Sequence, residues 1–62
     1  MELHSFELLL PSKTTRADAY DAGLNYIQNT LRLRQYADYS YTGSKPHPTM
    51  SGMSVCSYTY KA

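Results

Sequence analysis

Thr15-Arg16-Ala17-Asp18-Ala19-Tyr20-Asp21-Ala22-Gly23-Leu24-Asn25-Tyr26-Ile27-Gln28-Asn29-Thr30-Leu31-Arg32-Leu33-Arg34 is the one stretch of the chain with a helical period. Apolar residues recur at Tyr20, Leu24, Ile27 and Leu31, spaced four, three, four, so they share one narrow stripe of a helix. Gly23 falls on the same stripe. A glycine costs a helix about 1 kcal/mol against alanine, so its presence predicts a close approach by another backbone. Thr15 followed by Asp18 reads as a capping box. Asp18 and Asp21 lie near the positive end of the helix dipole, Arg32 and Arg34 near the negative end. A second stripe, Ala19, Ala22, Tyr26 and Leu33, reads first as the flank of the core and second as a docking side.

Working outward, the flanks alternate. In Leu3–Leu10, Phe6, Leu8 and Leu10 point one way and Ser5 and Glu7 the other, the pattern of a half-buried strand. Leu3 and Leu9 interrupt the polar side. Pro11-Ser12-Lys13-Thr14 ends that strand and leads into the helix. After Arg34, Tyr36–Thr42 alternates again, with Ala37, Tyr39 and Tyr41 on one face and Asp38, Ser40 and Thr42 on the other. In Ser54–Lys61, Cys56, Tyr58 and Tyr60 share one face and Val55, Ser57 and Thr59 the other. Gly43–Met53 contains two prolines, two glycines and no periodicity, and reads as a long loop of the functional or mobile kind.

The expected fold is α+β, a β-α-β-β chain with a three-stranded antiparallel sheet in the order 1-3-2 and one helix packed on one face. The expected core is Phe6, Leu8, Leu10, Tyr20, Leu24, Ile27, Leu31 and Cys56. Sixty-two residues make a single small domain, 1–62. A chain of this length buries only about 60% of its unfolded surface. One cysteine excludes an internal disulfide, and a net charge of +1 gives no nucleic-acid footprint. No apolar run is long enough for a membrane span, and Met1-Glu2-Leu3-His4 lacks the character of a signal peptide. These features predict a cytoplasmic protein.

No motif points to catalysis. Cys56 with His4 or His47 lacks the spacing of a nucleophile and base, and the same three residues do not make a zinc site. The five carboxylates do not pair for acid–base work. The expectation is no enzyme, no metal and no cofactor. Seven tyrosines, with one phenylalanine and no tryptophan, leave two binding readings. On an open sheet face they would stack single-stranded bases, with Arg32, Arg34, Lys45 and Lys61 on phosphates. Under the helix they would be core, and the chain would dock on a larger protein or complex. The second reading is preferred, with Tyr26, Leu33, Tyr36, Lys45, His47 and Met50 as partner-binding residues. A monomer meeting its partner and a homodimer through Ala22, Tyr26 and Leu33 fit equally.

The β-α-β-β layout, with His4-Ser5-Phe6-Glu7 opening the first strand, resembles small phage-encoded proteins that inhibit host or anti-phage machinery. That opening looks like the first strand of the small phage inhibitors of bacterial RNA polymerase. The resemblance implies inhibition by binding, without catalysis, and, for a phage-encoded chain, the cytoplasm of the host cell. The acidic surface that many such inhibitors use is missing from this sequence.

Overall fold

The computed structural model describes residues 1–62. Strand β1 (Leu3–Pro11) is followed by helix α1 (Arg16–Asn25), a π-helical turn (Tyr26–Thr30), strand β2 (Ala37–Pro46) and strand β3 (Met53–Lys61). The sheet order is β1-β3-β2, and both neighbouring pairs are antiparallel. This is the β-α-β-β, α+β architecture the alternation predicts. A central last strand keeps every pair antiparallel while the crossover places the helix on one face.

Thr15 caps α1, its Oγ1 accepting from the Asp18 N–H at 3.1 Å. That is one half of the expected capping box. The helix does not run to Arg34. After Asn25 the ladder loosens to a π turn, with the Leu31 N–H donating to the Tyr26 carbonyl at 3.0 Å. Asn29 and Thr30 are weak helix formers. Arg32 then takes a left-handed conformation, φ 55°, the device that often closes a helix. Leu31, Leu33 and Arg34 therefore lie beyond the helix.

The buried stripe also differs from the expected one. The helix buries Ala19, Gly23 and Ile27. Tyr20 is 44% exposed, and Leu24 and Leu31 are only half-buried. The cause is what lies underneath. Phe6, Tyr58 and Tyr41 form one row across the three strands. The Phe6 and Tyr58 rings are 4.9 Å apart and the Tyr41 and Tyr58 rings 5.2 Å apart. Rings of that size need small residues above them, so the helix turns Ala19 and Gly23 downward. The tyrosine hydroxyls also need acceptors when buried. Tyr58 Oη donates to the Ala19 carbonyl at 2.7 Å, and Tyr39 Oη donates to the Tyr20 carbonyl. Phe6, Leu8, Leu10, Tyr39 and Tyr41 complete the core around buried Ala19, Cys56 and Tyr58.

The strands also run longer than the alternation suggests. Gly43 does not end β2. It sits beside a register shift with φ 143°, and β2 continues to Pro46. The expected Gly43–Met53 loop shrinks to His47–Gly52, because the hairpin ladder is extended at both ends. A second register shift, between Ala37 and Ser40 with Asp38 at φ 53°, moves Ala37 opposite Lys61. Ala37 thereby leaves the face of Tyr39 and Tyr41.

Gly23 is required by proximity. A Cβ there would overlap the Tyr39 hydroxyl and stand 2.5 Å from Tyr58 Cε2. Gly23→Ala should therefore destabilise the protein by about 1–3 kcal/mol despite the better helix propensity. Asn25→Ala, on the exposed side of the same helix, should not. Urea unfolding of the two variants checks this.

Burial first, and the neighbouring Tyr20 and Asp21 next, push the Tyr39 phenol up from 10.0 to about 12. Burial also raises the Tyr58 phenol, with further contributions from Cys56 and its tyrosine neighbours. Both groups hold their protons in the folded state at pH values where the unfolded chain releases them. Their contribution to stability is thus fully present below pH 10 and lost as pH rises toward 12. Tyrosinate absorbance followed alongside circular dichroism should show these two phenols ionising only as the fold is lost.

Candidate protein-binding surface

The helix covers the sheet face that carries Tyr39, Tyr41, Tyr58 and Tyr60. The opposite face has no covering element. Its rows follow from the register: Ser5–Thr59–Ser40, then Glu7–Ser57–Gly43, then Leu9–Val55–Lys45, with Pro11–Met53 next to the turn. Hydroxyls occupy the middle of this face. Thr42 Oγ1, in the bulge, donates to the Ser57 carbonyl at 3.0 Å. The two concavities of the molecule, about 240 and 440 Å³, both open here, one beside Lys45 and the other between Ser5, Glu7 and Thr59. Toward the hairpin tip the face becomes apolar, with Leu9 42% exposed and Val55 and Met53 half-buried.

The tip is a built turn. His47 Nδ1 accepts from the Thr49 N–H at 3.1 Å and the Met50 N–H at 2.9 Å. The ring proton is therefore on Nε2. The His47 N–H donates to the Met53 carbonyl at 2.9 Å, and the Met53 N–H to the Met50 carbonyl at 3.2 Å. Met50 is held out at 45% exposure.

The partner-binding residues expected from the sequence fall into two groups. Lys45, His47 and Met50 gather at the hairpin tip, next to Leu9, Val55 and Met53. Tyr36 lies at the other end of the sheet, where β2 begins, Leu33 follows the π turn, and Tyr26 lies over the middle of β1. The Lys45–Val55 and Ala37–Lys61 pairs are six residue steps apart along β3, about 20 Å. Tyr26 stacks on Phe6 with ring centroids 4.6 Å apart, so it belongs partly to the core. Tyr36 Oη accepts from Gln28 Nε2 at 3.3 Å. Leu33 is half-buried. The two groups do not form one continuous site.

Leu9, Val55 and Met53 are the surface residues the sequence reading passed over. The signal for them was present: Leu9 breaks the polar side of the first strand, and Val55 sits on the hydroxyl side of the third. Their meeting across strands depends on register.

Cys56 is buried under the helix, with the Tyr41 hydroxyl at 4.0 Å from its Sγ. His4 stacks on Tyr60, four residues of strand away from Cys56, about 13 Å. His47 is committed to its turn. No three His, Cys, Asp or Glu side chains gather as metal ligands, and no helix is long and apolar enough to cross a membrane. No known protein family, curated protein or solved structure matches the chain.

Replacing His47 with alanine should remove the acceptor for two backbone amides at a cost of about 1 kcal/mol in the turn. Hydrogen exchange at Thr49 and Met50 should then quicken by roughly five- to tenfold, with β1 exchange unchanged.

Proposed function

We propose that this chain is a non-catalytic binding protein that docks on a larger protein or complex and inhibits it, through the open sheet face and hairpin tip. The destination of the tyrosines carries this reading. Tyr58 is fully buried, Tyr60 is 8% exposed, and Tyr39 and Tyr41 pack against the same core. Rings in those positions are not available to stack bases, so the single-stranded nucleic-acid reading loses its platform. Its cations are scattered as well: Lys61 pairs with Asp38 at 3.4 Å, Arg32 and Arg34 follow the helix, and Lys45 lies beside Val55 near the hairpin tip. The exposed surface that is left combines a hydroxyl field with a small apolar group of Leu9, Val55 and Met53, and Met50 is held out in the adjoining turn. A mixed surface of that kind suits a protein interface with a few apolar anchors. The inhibitory half of the proposal draws on the resemblance to small phage inhibitors.

The test is capture from the cell of origin, or from the host of the phage that encodes it, with and without nuclease, followed by affinity measurements on what is recovered. A stoichiometric protein should survive nuclease and bind with weak salt dependence. Met50→Ala and Val55→Thr should each weaken that binding by roughly tenfold while leaving the fold intact. Recovery of nuclease-sensitive nucleic acid alone, with affinity falling steeply in salt, would reverse the choice. The expected slope in that case is about −0.7 per phosphate contact.

A further inference from the structure

The two edges of the sheet are unlike. The outer edge of β2 is broken by two register shifts, and Lys45 and Pro46 close it. Those are devices that stop a sheet from growing. Strand β1 has none of them before Pro11. Its register against β3 is continuous over nine residues, and Glu7 is the only charged side chain before the strand ends.

The direction of its free main-chain groups follows from the ladder. Glu2 and Ala62 exchange both N–H···O bonds, at 2.8 and 3.0 Å, and the Ser12 N–H donates to the Gly52 carbonyl at 2.9 Å. Stepping by two between these ends, His4, Phe6, Leu8 and Leu10 turn their main chain toward β3. Leu3, Ser5, Glu7 and Leu9 turn theirs to the free edge. Helix α1 packs closest to β2, while over β1 the π turn lays Tyr26 on Phe6. Leu3 is 67% and Leu9 42% exposed on one face, and Phe6, Leu8 and Leu10 are only half-buried on the other.

We propose that the free edge of β1 pairs antiparallel with β1 of a second copy of this chain, giving a two-fold, six-stranded sheet centred on Phe6. The residues select both the occupant and the register. With Phe6 opposite Phe6 of the second copy, Leu3 faces Leu9, Ser5 faces Glu7, and each relation is repeated by the symmetry. The exposed leucines cover each other, and each Ser5 hydroxyl meets a carboxylate. The four outward residues of each chain form hydrogen-bonded pairs, each exchanging two main-chain bonds. A register shifted by one residue pair in one direction sets Glu7 against Glu7, a like-charge pair that opposes association. The opposite shift sets Leu3 against Glu7 and carries Leu9 past the start of the strand, opposite Met1. One register alone satisfies both the leucines and the charges. The two helices then lie on the same side, and the open faces join into one surface twice as wide.

The chain is short enough for total synthesis, which permits a test on the backbone alone. N-methylation of Glu7 removes a donor that points to the free edge and leaves every bond to β3 in place. Sedimentation of the parent at tens to hundreds of micromolar should show a dimer, and the N-methyl chain should sediment as a monomer with the parent's circular dichroism. A register test uses L3C and L9C, each in a C56A background, mixed and oxidised. Mixed L3C–L9C disulfides should outnumber either symmetric product by several-fold. A parent that stays monomeric throughout this range overturns the proposal. A dimer that survives N-methylation also overturns it and moves the contact to another face, such as the Tyr26–Leu33 side. The proposal is independent of the docking reading: these experiments use pure protein, and Met50→Ala should leave the dimer unchanged. Loss of partner capture on N-methylation of a monomeric parent would assign the edge to the partner's strand and not to a second copy.

Discussion

The hydroxyl of Tyr58, donating to the Ala19 carbonyl, is the constraint around which the rest of the structure is arranged. A fully buried phenol needs an acceptor, and the alternative is an unpaired polar group in the core costing about 1–3 kcal/mol. The acceptor is a helix carbonyl, so the helix must come within a hydrogen bond of the central strand. That approach is possible only where the helix has no side chain in the way, and Gly23 provides the gap. Tyr39 makes the same kind of bond one residue further on, to the Tyr20 carbonyl. The two phenols act as struts between sheet and helix. They set both the height of the helix and its rotation, and the leucines of the helix end up at its sides.

The same constraint shapes the surface. Tyrosines drawn inward leave the opposite sheet face with the short polar residues that alternate with them: Ser5, Ser40, Thr42, Ser57 and Thr59. Only where the alternation is broken, at Leu9, Val55 and Met53, does that face turn apolar. Tyr39 of β2 ties helix α1 to that side of the sheet, and β1 is left half-covered on its inner face and exposed on its outer one. A domain of 62 residues has few elements with which to cover such a strand. The proposed partner surface and the proposed self-pairing edge are thus two consequences of one packing decision. They are also compatible in space, since edge pairing widens the open face without covering it.

The number and alternation of the strands, the one helix between them and the order 1-3-2 were legible in the sequence. Period two and period 3.6 are local signals, and a three-stranded sheet with one crossover has few antiparallel solutions. Thr15 as the helix cap and Cys56 as a core residue were legible for the same reason. The burial of the tyrosines followed from their sharing a face with one another and with the parity of Phe6 and Leu8. The helix stripe was misjudged because hydrophobicity ranks Leu24 above Ala19 and Gly23, whereas packing over large rings favours the small residues. The six residues proposed for partner binding were chosen by type, helix stripe and loop position, and sequence distance conceals that Lys45, His47 and Met50 lie at the hairpin tip while Tyr26 rests on Phe6 and Tyr36 lies where β2 begins.

What the sequence by itself determined is therefore the set of elements and the face each strand turns inward, because these depend on side-chain period and local caps. What only the tertiary structure decided is the helix rotation, the length of the hairpin and the neighbours of each surface residue. The rotation depends on hydroxyl-to-carbonyl bonds spanning 39 residues in the case of Tyr58 and Ala19. The hairpin length depends on two bulges that shift register where no local rule demands it. Leu9, Val55 and Lys45 become neighbours only through pairing across β3, and the direction of the free groups of β1 is readable only once its bonds to β3 are known.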